Sequence, residues 1–251
     1  MAPSLTDLTK RSMNLTRPIH TCLLLLGLVA SLGFASAASA QSQEYIIVSG
    51  GPALRKWEDL RAAGTQHDRW WGNFIRPARV RIEEIKKQDP NAMITWLVYR
   101  TAFVTRSTED NRALTPLVES VRDKYGVRLM WFDNGTQLIN YLNEGQPRGR
   151  VKICNFEYYG HSNKYCFMFD YSNLVYGVSK SWLHEKDLPR IRGGIFTKNA
   201  YCKSWGCHTG ESMSRAWRNA TGIPMIGAYG KTDYSNPVQI ELSFGGHWTN
   251  G

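Results

Sequence analysis

Short runs of apolar residues alternate along this chain with segments whose apolar residues recur three or four positions apart. A run rich in β-branched and aromatic residues that ends on Gly or Pro is typical of a buried strand, whereas the wider spacing is typical of a helix with one apolar face. The apolar runs predict strands over residues 45–49, 93–103, 127–132, 151–159, 195–205 and 224–229. The helical spacing predicts helices over residues 53–63, 70–87, 114–125, 136–143 and 211–220, with a helical turn near residues 181–184.

This alternation of strands and helices predicts the fold class α/β, with a mostly parallel, roughly six-stranded sheet and helices on both faces. The composition agrees with a folded protein, because 42% of the 251 residues are hydrophobic and 21% are charged, which excludes disorder for most of the chain. The length beyond the first forty residues suits one hydrophobic core. We expect a single domain over residues 41–251.

The first forty residues have the order of a secretory signal peptide. Basic residues come first, an apolar stretch follows over residues 22–34, and a run of small residues ends at Ala40. The stretch is interrupted by glycines and is short for a membrane span, which needs roughly 20 apolar residues. We expect cleavage after Ala40 and export to the periplasm or the extracellular space. A retained membrane anchor is the alternative.

The charge balance narrows the range of partners. The chain has 31 Lys and Arg against 21 Asp and Glu, for a net charge of +10. A basic exported protein is attracted to anionic surfaces, which in a cell envelope are lipid head groups or cell-wall polymers. No nucleic-acid motif occurs, so we expect no nucleic-acid partner. The alternative is that the charge only keeps the protein soluble.

Two predicted strands end on residues that can perform chemistry. Gly160-His161-Ser162 follows the fourth strand, and Gly206-Cys207-His208 follows the fifth. The carboxyl ends of parallel strands meet along one edge of a sheet, so neighbouring strands would bring His161 and Cys207 to one cleft. A histidine within hydrogen-bond reach can take the thiol proton and later return one to a leaving group. Taken singly, each residue is more often structural.

Backbone groups around the two residues complete this hypothesis. The N–H groups of Gly160, Ser162 and Gly206 are candidates for an oxyanion hole, and the glycines permit a substrate to approach closely. A helix beginning just after Cys207 would point its positive end at the sulfur and favour the thiolate.

The stretch from residue 127 to residue 210 resembles the core of the caspase-like cysteine peptidases, the group of caspases, gingipains, clostripain and legumain. In that family a hydrophobic strand leads to a catalytic histidine and a second one leads to a catalytic cysteine, which many bacterial members follow with Thr-Gly. Here Ile153 to Ser162 matches the first strand, and Trp205-Gly206-Cys207-His208-Thr209-Gly210 matches the second. The resemblance implies a three-layer caspase-like fold and an exported peptidase without cofactor or metal. His161 would be its general acid and base, and Cys207 its nucleophile.

Two residues depart from the family's pattern. Ser162 stands where the family usually has glycine, and Gly206 stands where alanine or serine is commoner. The competing hypothesis from another class is therefore a catalytically silent binding module that keeps the fold and acts at the anionic cell envelope.

Further residues are candidates for the walls of the cleft. Asp68 could meet a basic side chain of a peptide or protein substrate, Trp70 an apolar one, and Asp233 with Tyr234 could form another wall. Trp70 has the alternative of belonging to the core. The cysteines beyond residue 40 are Cys154, Cys166, Cys202 and Cys207. If all four paired, three connectivities would be open, and an active Cys207 leaves room for one disulfide. No Cys-x-x-Cys pair occurs, so we expect no zinc site.

Overall fold

A seven-stranded sheet forms the centre of the protein, with the strand order β12-β9-β8-β4-β1-β2-β3. The computed structural model describes residues 42–64, 66, 68–170 and 180–251. The predicted signal peptide and its cleavage site lie outside these residues. In the described ranges the strands are β1 (Ser42–Ser49), β2 (Met93–Tyr99), β3 (Arg128–Phe132), β4 (Val151–Tyr159), β5 (His161–Ser162), β6 (Cys166–Met168), β7 (Trp182–His184), β8 (Phe196–Ser204), β9 (Met225–Tyr229), β10 (Thr232–Asp233), β11 (Glu241–Leu242) and β12 (His247–Asn250). The α-helices are α1 (Arg55–Asp59), α2 (Ile75–Gln88), α3 (Arg100–Glu109), α4 (Thr115–Tyr125), α5 (Gly135–Glu144) and α6 (Met213–Thr221).

The predicted α/β class with a mostly parallel sheet is confirmed. All neighbours in the central sheet pair in parallel except β12, which runs antiparallel to β9 at one edge. The expected six strands become seven because β12 was not predicted. This strand is short and partly exposed, so it lacks the apolar run that revealed the others.

Helices pack against both faces of the sheet. Successive side chains of a strand point to opposite faces, and in β1 Ile46 and Val48 belong to one buried cluster whereas Ile47 belongs to the other. The first cluster includes residues of α5 and α6, and the second includes residues of α2 and α4. Gly126 ends α4 in the left-handed conformation, with a φ of 60°. Of the helices in the described ranges, none is long and apolar enough to cross a membrane.

Several predicted elements are wrong in extent or type. The helix predicted over residues 70–87 begins only at Ile75 and ends at Gln88. The strand predicted over residues 93–103 ends at Tyr99, and the chain continues as α3. The helix predicted over residues 53–63 is reduced to the five residues of α1. The turn predicted as helical near residues 181–184 is the strand β7, which pairs with β6, and a 3-10 turn follows it over Glu185–Arg190.

A buried carboxylate joins β4 to β8. Glu157 is 1% exposed and accepts hydrogen bonds from Nε of Arg81 at 2.6 Å and from Nδ2 of Asn155 at 3.0 Å. The hydroxyl of Tyr159 and Nε1 of Trp205 also donate to it, each at 3.0 Å. Because Tyr159 ends β4 and Trp205 follows β8, one charge connects the carboxyl ends of both strands.

Candidate functional site

His161, in the short strand β5, and Cys207, in the turn after β8, lie on adjoining segments at the carboxyl edge of the central sheet. Their strands β4 and β8 are parallel neighbours, with Tyr158 paired with Ser204. The loops touch, since the hydroxyl of Ser162 donates to the backbone carbonyl of Cys207 at 2.7 Å. The strand order therefore brings the two segments singled out from the sequence to one place.

Asp68 forms a contact with the imidazole of His161. One carboxylate oxygen of Asp68 meets Nε2 of His161. The carboxylate also accepts the N–H of Ala53 at 2.8 Å and Nδ2 of Asn73 at 2.9 Å, which fixes its orientation. A carboxylate in this position orients a histidine ring. Asp68 was expected to face a substrate side chain, but it is only 1% exposed and its structural partner is His161.

Other buried charges hold the loop that carries Asp68. Arg106 of α3 is fully buried, and its Nη1 donates to the carbonyls of Ala53 at 2.8 Å and of Asp68 at 3.0 Å. The backbone N–H of Asp68 donates to Oε2 of Glu58 at 2.9 Å. Neither Arg106 nor Glu58 was expected at the site, and Arg106 lies in the unpredicted helix α3. A lone arginine in a polar stretch carries no signal of this role.

The phenyl ring of Phe74 covers the other side of the histidine. Its centroid lies 4.8 Å from that of His161, with the rings nearly perpendicular. Phe74 also meets Tyr234 edge-on at 5.0 Å. An apolar ring on one side and a carboxylate on the other leave the imidazole 11% exposed. Both neighbours restrict the rotation of the imidazole.

Cys207 is half-buried, and its sulfur receives a hydrogen bond from the backbone. The N–H of Thr232 donates to Sγ at 3.4 Å, and the hydroxyl of Thr232 lies at the same distance. The thiol in turn donates to the carbonyl oxygen of Thr232 at 3.9 Å. The predicted helix directly after Cys207 is wrong: a 3-10 turn over Thr209–Glu211 intervenes and α6 begins only at Met213. Since the field of a helix end falls off within one turn, the helix dipole contributes little here.

The residue after the cysteine has a backbone conformation that non-glycine residues rarely adopt. His208 has a φ of 62°. Its N–H donates to the carbonyl of Gly230 at 2.7 Å, and its Nδ1 lies 2.5 Å from Oε1 of Glu211. Strained backbone of this kind persists only where surrounding contacts enforce it, and it occurs often at functional sites.

The predicted oxyanion donors differ in whether an acceptor within the protein already lies in front of their N–H group. The N–H of Gly160 points to the hydroxyl of Tyr234 at 3.4 Å, and the N–H of Gly206 points to the hydroxyl of Ser204 at 3.3 Å. Within the part of the chain that the structure describes, the N–H of Cys207 itself has no acceptor. The backbone of the cysteine is therefore the donor best placed to receive a negative oxygen beside Sγ.

Tyr234 connects the two loops from the side. Its hydroxyl donates to the carbonyl of Trp205 at 2.8 Å, in addition to facing Gly160. Burial raises the pKa of Tyr234 well above its ordinary value, with the nearby Cys207 and Asp68 acting in the same direction. The phenol therefore remains protonated and keeps its hydrogen bond to Trp205. From the sequence, Tyr234 was expected only as part of a cleft wall, beside Asp233.

The remaining predicted wall residues lie at the surface. Trp70 is 46% exposed and its ring lies 5.9 Å from that of Trp71. Asp233 is exposed and follows Thr232, the residue that contacts the sulfur of Cys207. Its Oδ1 accepts the N–H of Ser235 at 2.8 Å, which leaves the other oxygen for solvent or a ligand.

The cysteines of the described residues are all free thiols, namely Cys154, Cys166, Cys202 and Cys207. Burial raises the pKa of Cys154 and of Cys166 to about 11 and that of Cys202 to about 12. These three side chains are therefore protonated near neutral pH. Among the described residues no group of three His, Cys, Asp or Glu side chains is arranged to hold a metal ion.

No known protein family, curated protein or solved structure matches this chain.

Proposed function

We propose that this protein is a cysteine-dependent hydrolase with a caspase-like fold that cleaves peptide bonds outside the cytoplasm. The observation that carries the proposal is the contact between Asp68 and His161, on a loop that touches the backbone of Cys207. A histidine oriented by a buried carboxylate, on a segment that bonds the backbone of a half-buried cysteine, has the parts of a nucleophilic catalyst. The arrangement of a parallel sheet with histidine and cysteine after neighbouring strands supports the resemblance to the caspase-like peptidases.

In this mechanism His161 takes the proton of the Cys207 thiol, and Asp68 stabilises the imidazolium that forms. The sulfur attacks the carbonyl carbon of the scissile bond, and the N–H of Cys207 receives the oxyanion. Collapse of this intermediate expels the amine, which takes the proton from His161, and leaves a thioester on Cys207. Water then attacks the thioester and passes a proton to His161. The carboxylic acid leaves and Cys207 recovers its thiol, so the cycle needs no metal or cofactor.

The test uses peptidyl acyloxymethyl ketone probes, which label cysteine peptidases at the nucleophile. A panel of probes with basic, acidic and apolar side chains next to the reactive group avoids assuming a substrate preference. Wild-type protein should be labelled, and Cys207→Ala should not. Asp68→Asn removes a charge-assisted hydrogen bond worth about 1.5–3 kcal/mol, which corresponds to a labelling rate roughly 10- to 100-fold lower. His161→Ala should lower the rate further.

Cys166→Ser is the matched control, because Cys166 is a free thiol on β6 outside the proposed dyad. It should be labelled like the wild type. Labelling that persists in Cys207→Ala, or rates unchanged in both Asp68→Asn and His161→Ala, would refute the hydrolase. Binding of the protein to anionic lipid vesicles or cell-wall polymer, without labelling by any probe, would favour the binding module.

A further inference from the structure

Ser162 and Gly206 occupy the contact between the loop of the histidine and the loop of the cysteine. A Cβ atom at position 206 would lie 2.2 Å from Oγ and 2.8 Å from Cβ of Ser162, and 3.1 Å from the carbonyl oxygen of Gly160. Real Cβ atoms essentially never come within 3.0 Å of another heavy atom, so the two contacts with Ser162 cannot form. Any side chain at position 206 therefore conflicts with the serine at position 162. The two departures from the caspase-like pattern are parts of one arrangement.

The hydroxyl of Ser162 forms a hydrogen bond with the backbone of Cys207. Ser162 is 7% exposed, and its hydroxyl donates to the carbonyl of Cys207 at 2.7 Å. The N–H of His208, on the same peptide unit, donates to Gly230 at 2.7 Å. Both polar ends of the peptide between Cys207 and His208 are thus bonded. This peptide precedes a residue with a φ of 62°, so the two bonds hold a conformation that the backbone disfavours by itself.

We propose that Ser162 is a positioning residue for Cys207. Its hydroxyl fixes the peptide that leaves the cysteine, which keeps the sulfur beside the N–H of Thr232 and on the side of the proposed base. Since Ser162 directly follows His161, one dipeptide carries both the base and the hydroxyl that holds the nucleophile's backbone. This hydrogen bond directly ties the segment of the base to the backbone of the nucleophile. The catalytic consequence rests on the proposed function, but the effect on the thiol does not.

The test measures the rate of Cys207 alkylation by iodoacetamide between pH 5.5 and pH 9, together with thermal unfolding. Ser162→Ala keeps the Cβ and removes only the hydroxyl. We expect a cooperatively unfolding protein whose Cys207 reacts at least about fivefold more slowly at neutral pH, with an altered pH–rate profile, because small misplacements of reacting groups have large effects on rate. Ser214→Ala is the control: Ser214 is fully buried and its hydroxyl has no partner in the described residues, so its alkylation profile should match the wild type.

A pair of compensating changes tests the contact itself. Gly206→Ala should lower the unfolding temperature or prevent folding, and Ser162→Gly in the same chain should restore folding by clearing the space. Adding a hydroxyl as Gly206→Ser in the Ser162→Gly background should raise the alkylation rate above that of Ser162→Gly alone.

A Ser162→Ala profile that superimposes on the wild type would overturn the positioning role. Wild-type stability in Gly206→Ala would overturn the steric coupling. The outcomes also separate the two proposals. If Ser162→Ala alters the alkylation profile but no probe labels the wild type, the hydrolase is refuted and the positioning role stands. Probe labelling with an unresponsive Ser162→Ala does the reverse.

Discussion

Replacing Lys203 with methionine should remove a pH dependence from the free energy of unfolding. Lys203 of β8 is 9% exposed, and its ammonium lies 3.4 Å and 3.9 Å from the ring centroids of Trp205 and Trp248. Burial lowers the pKa of Lys203 from 10.5 to about 8, although the charge of Glu157 acts in the opposite direction. Between these two pKa values the unfolded chain binds a proton that the folded protein has lost. Raising the pH through this range therefore favours the folded state.

The size of the effect follows from the two pKa values. One pKa unit corresponds to 1.36 kcal/mol, so the full interval is worth about 3 kcal/mol, of which about 2.5 kcal/mol falls between pH 7 and pH 10. The faces of the two indoles stabilise the ammonium by about 0.5–2 kcal/mol each, which opposes the effect of burial. Subtracting the lower end of this contribution, about 1 kcal/mol for the two rings together, we expect the wild type to gain about 1.5 kcal/mol over Lys203→Met between pH 7 and pH 10.

Urea denaturation at several pH values, under reducing conditions, measures this gain as the difference between the two free energies of unfolding. Taking the difference cancels tyrosines and other groups that titrate in both proteins. Lys198→Met is the control, because Lys198 lies on the same strand and is exposed. Its difference from the wild type should stay constant with pH. A constant or falling difference for Lys203→Met would refute the reasoning.

Two further predictions concern the other thiols and the core. Iodoacetamide near neutral pH should modify Cys207 well before Cys154, Cys166 and Cys202, because burial raises the pKa values of these three thiols. Peptide mass spectrometry gives the order of modification, and equal modification of all four would contradict the prediction. Trp217→Ala should lower the free energy of unfolding by about 3–5 kcal/mol, because Trp217 is fully buried 4.6 Å from the ring of Phe156. The half-exposed Trp70 is its control, and Trp70→Ala should change that energy by about 0.5 kcal/mol or less in urea denaturation.

The central strands could be predicted because burial on both faces leaves a continuous apolar run. The strand predicted over residues 151–159 has the same bounds in the structure, where it pairs with β1 and β8. The boundary between β2 and α3 could not be predicted, since neither Gly nor Pro occurs at the junction of Tyr99 and Arg100. The start of α3 also contains β-branched residues, which are typical of strands. That helix depends on tertiary contacts, above all on the buried guanidinium of Arg106. Tertiary contacts of this kind override the intrinsic secondary-structure preference of the residues.

The candidate site could be predicted from the sequence only in part, for a similar reason. His161 and Cys207 each follow an apolar strand, and the strand pattern indicates where they meet. Asp68 lies in a loop without periodicity, and its contact with His161 depends on how α1, α3 and the sheet are packed. The steric exclusion between Ser162 and Gly206 involves single atoms, which no pattern of hydrophobic and polar positions records.

The contact between Ser162 and Gly206 also restricts the order in which the chain can change during evolution. A substitution that adds a side chain at position 206 is tolerated only after position 162 has become glycine, since the opposite order passes through a clash. The permissible route therefore crosses an intermediate with glycine at both positions, which lacks the hydroxyl bond to Cys207. Such an intermediate has a looser cysteine loop, so the two residues form an epistatic pair that selection changes together or leaves alone.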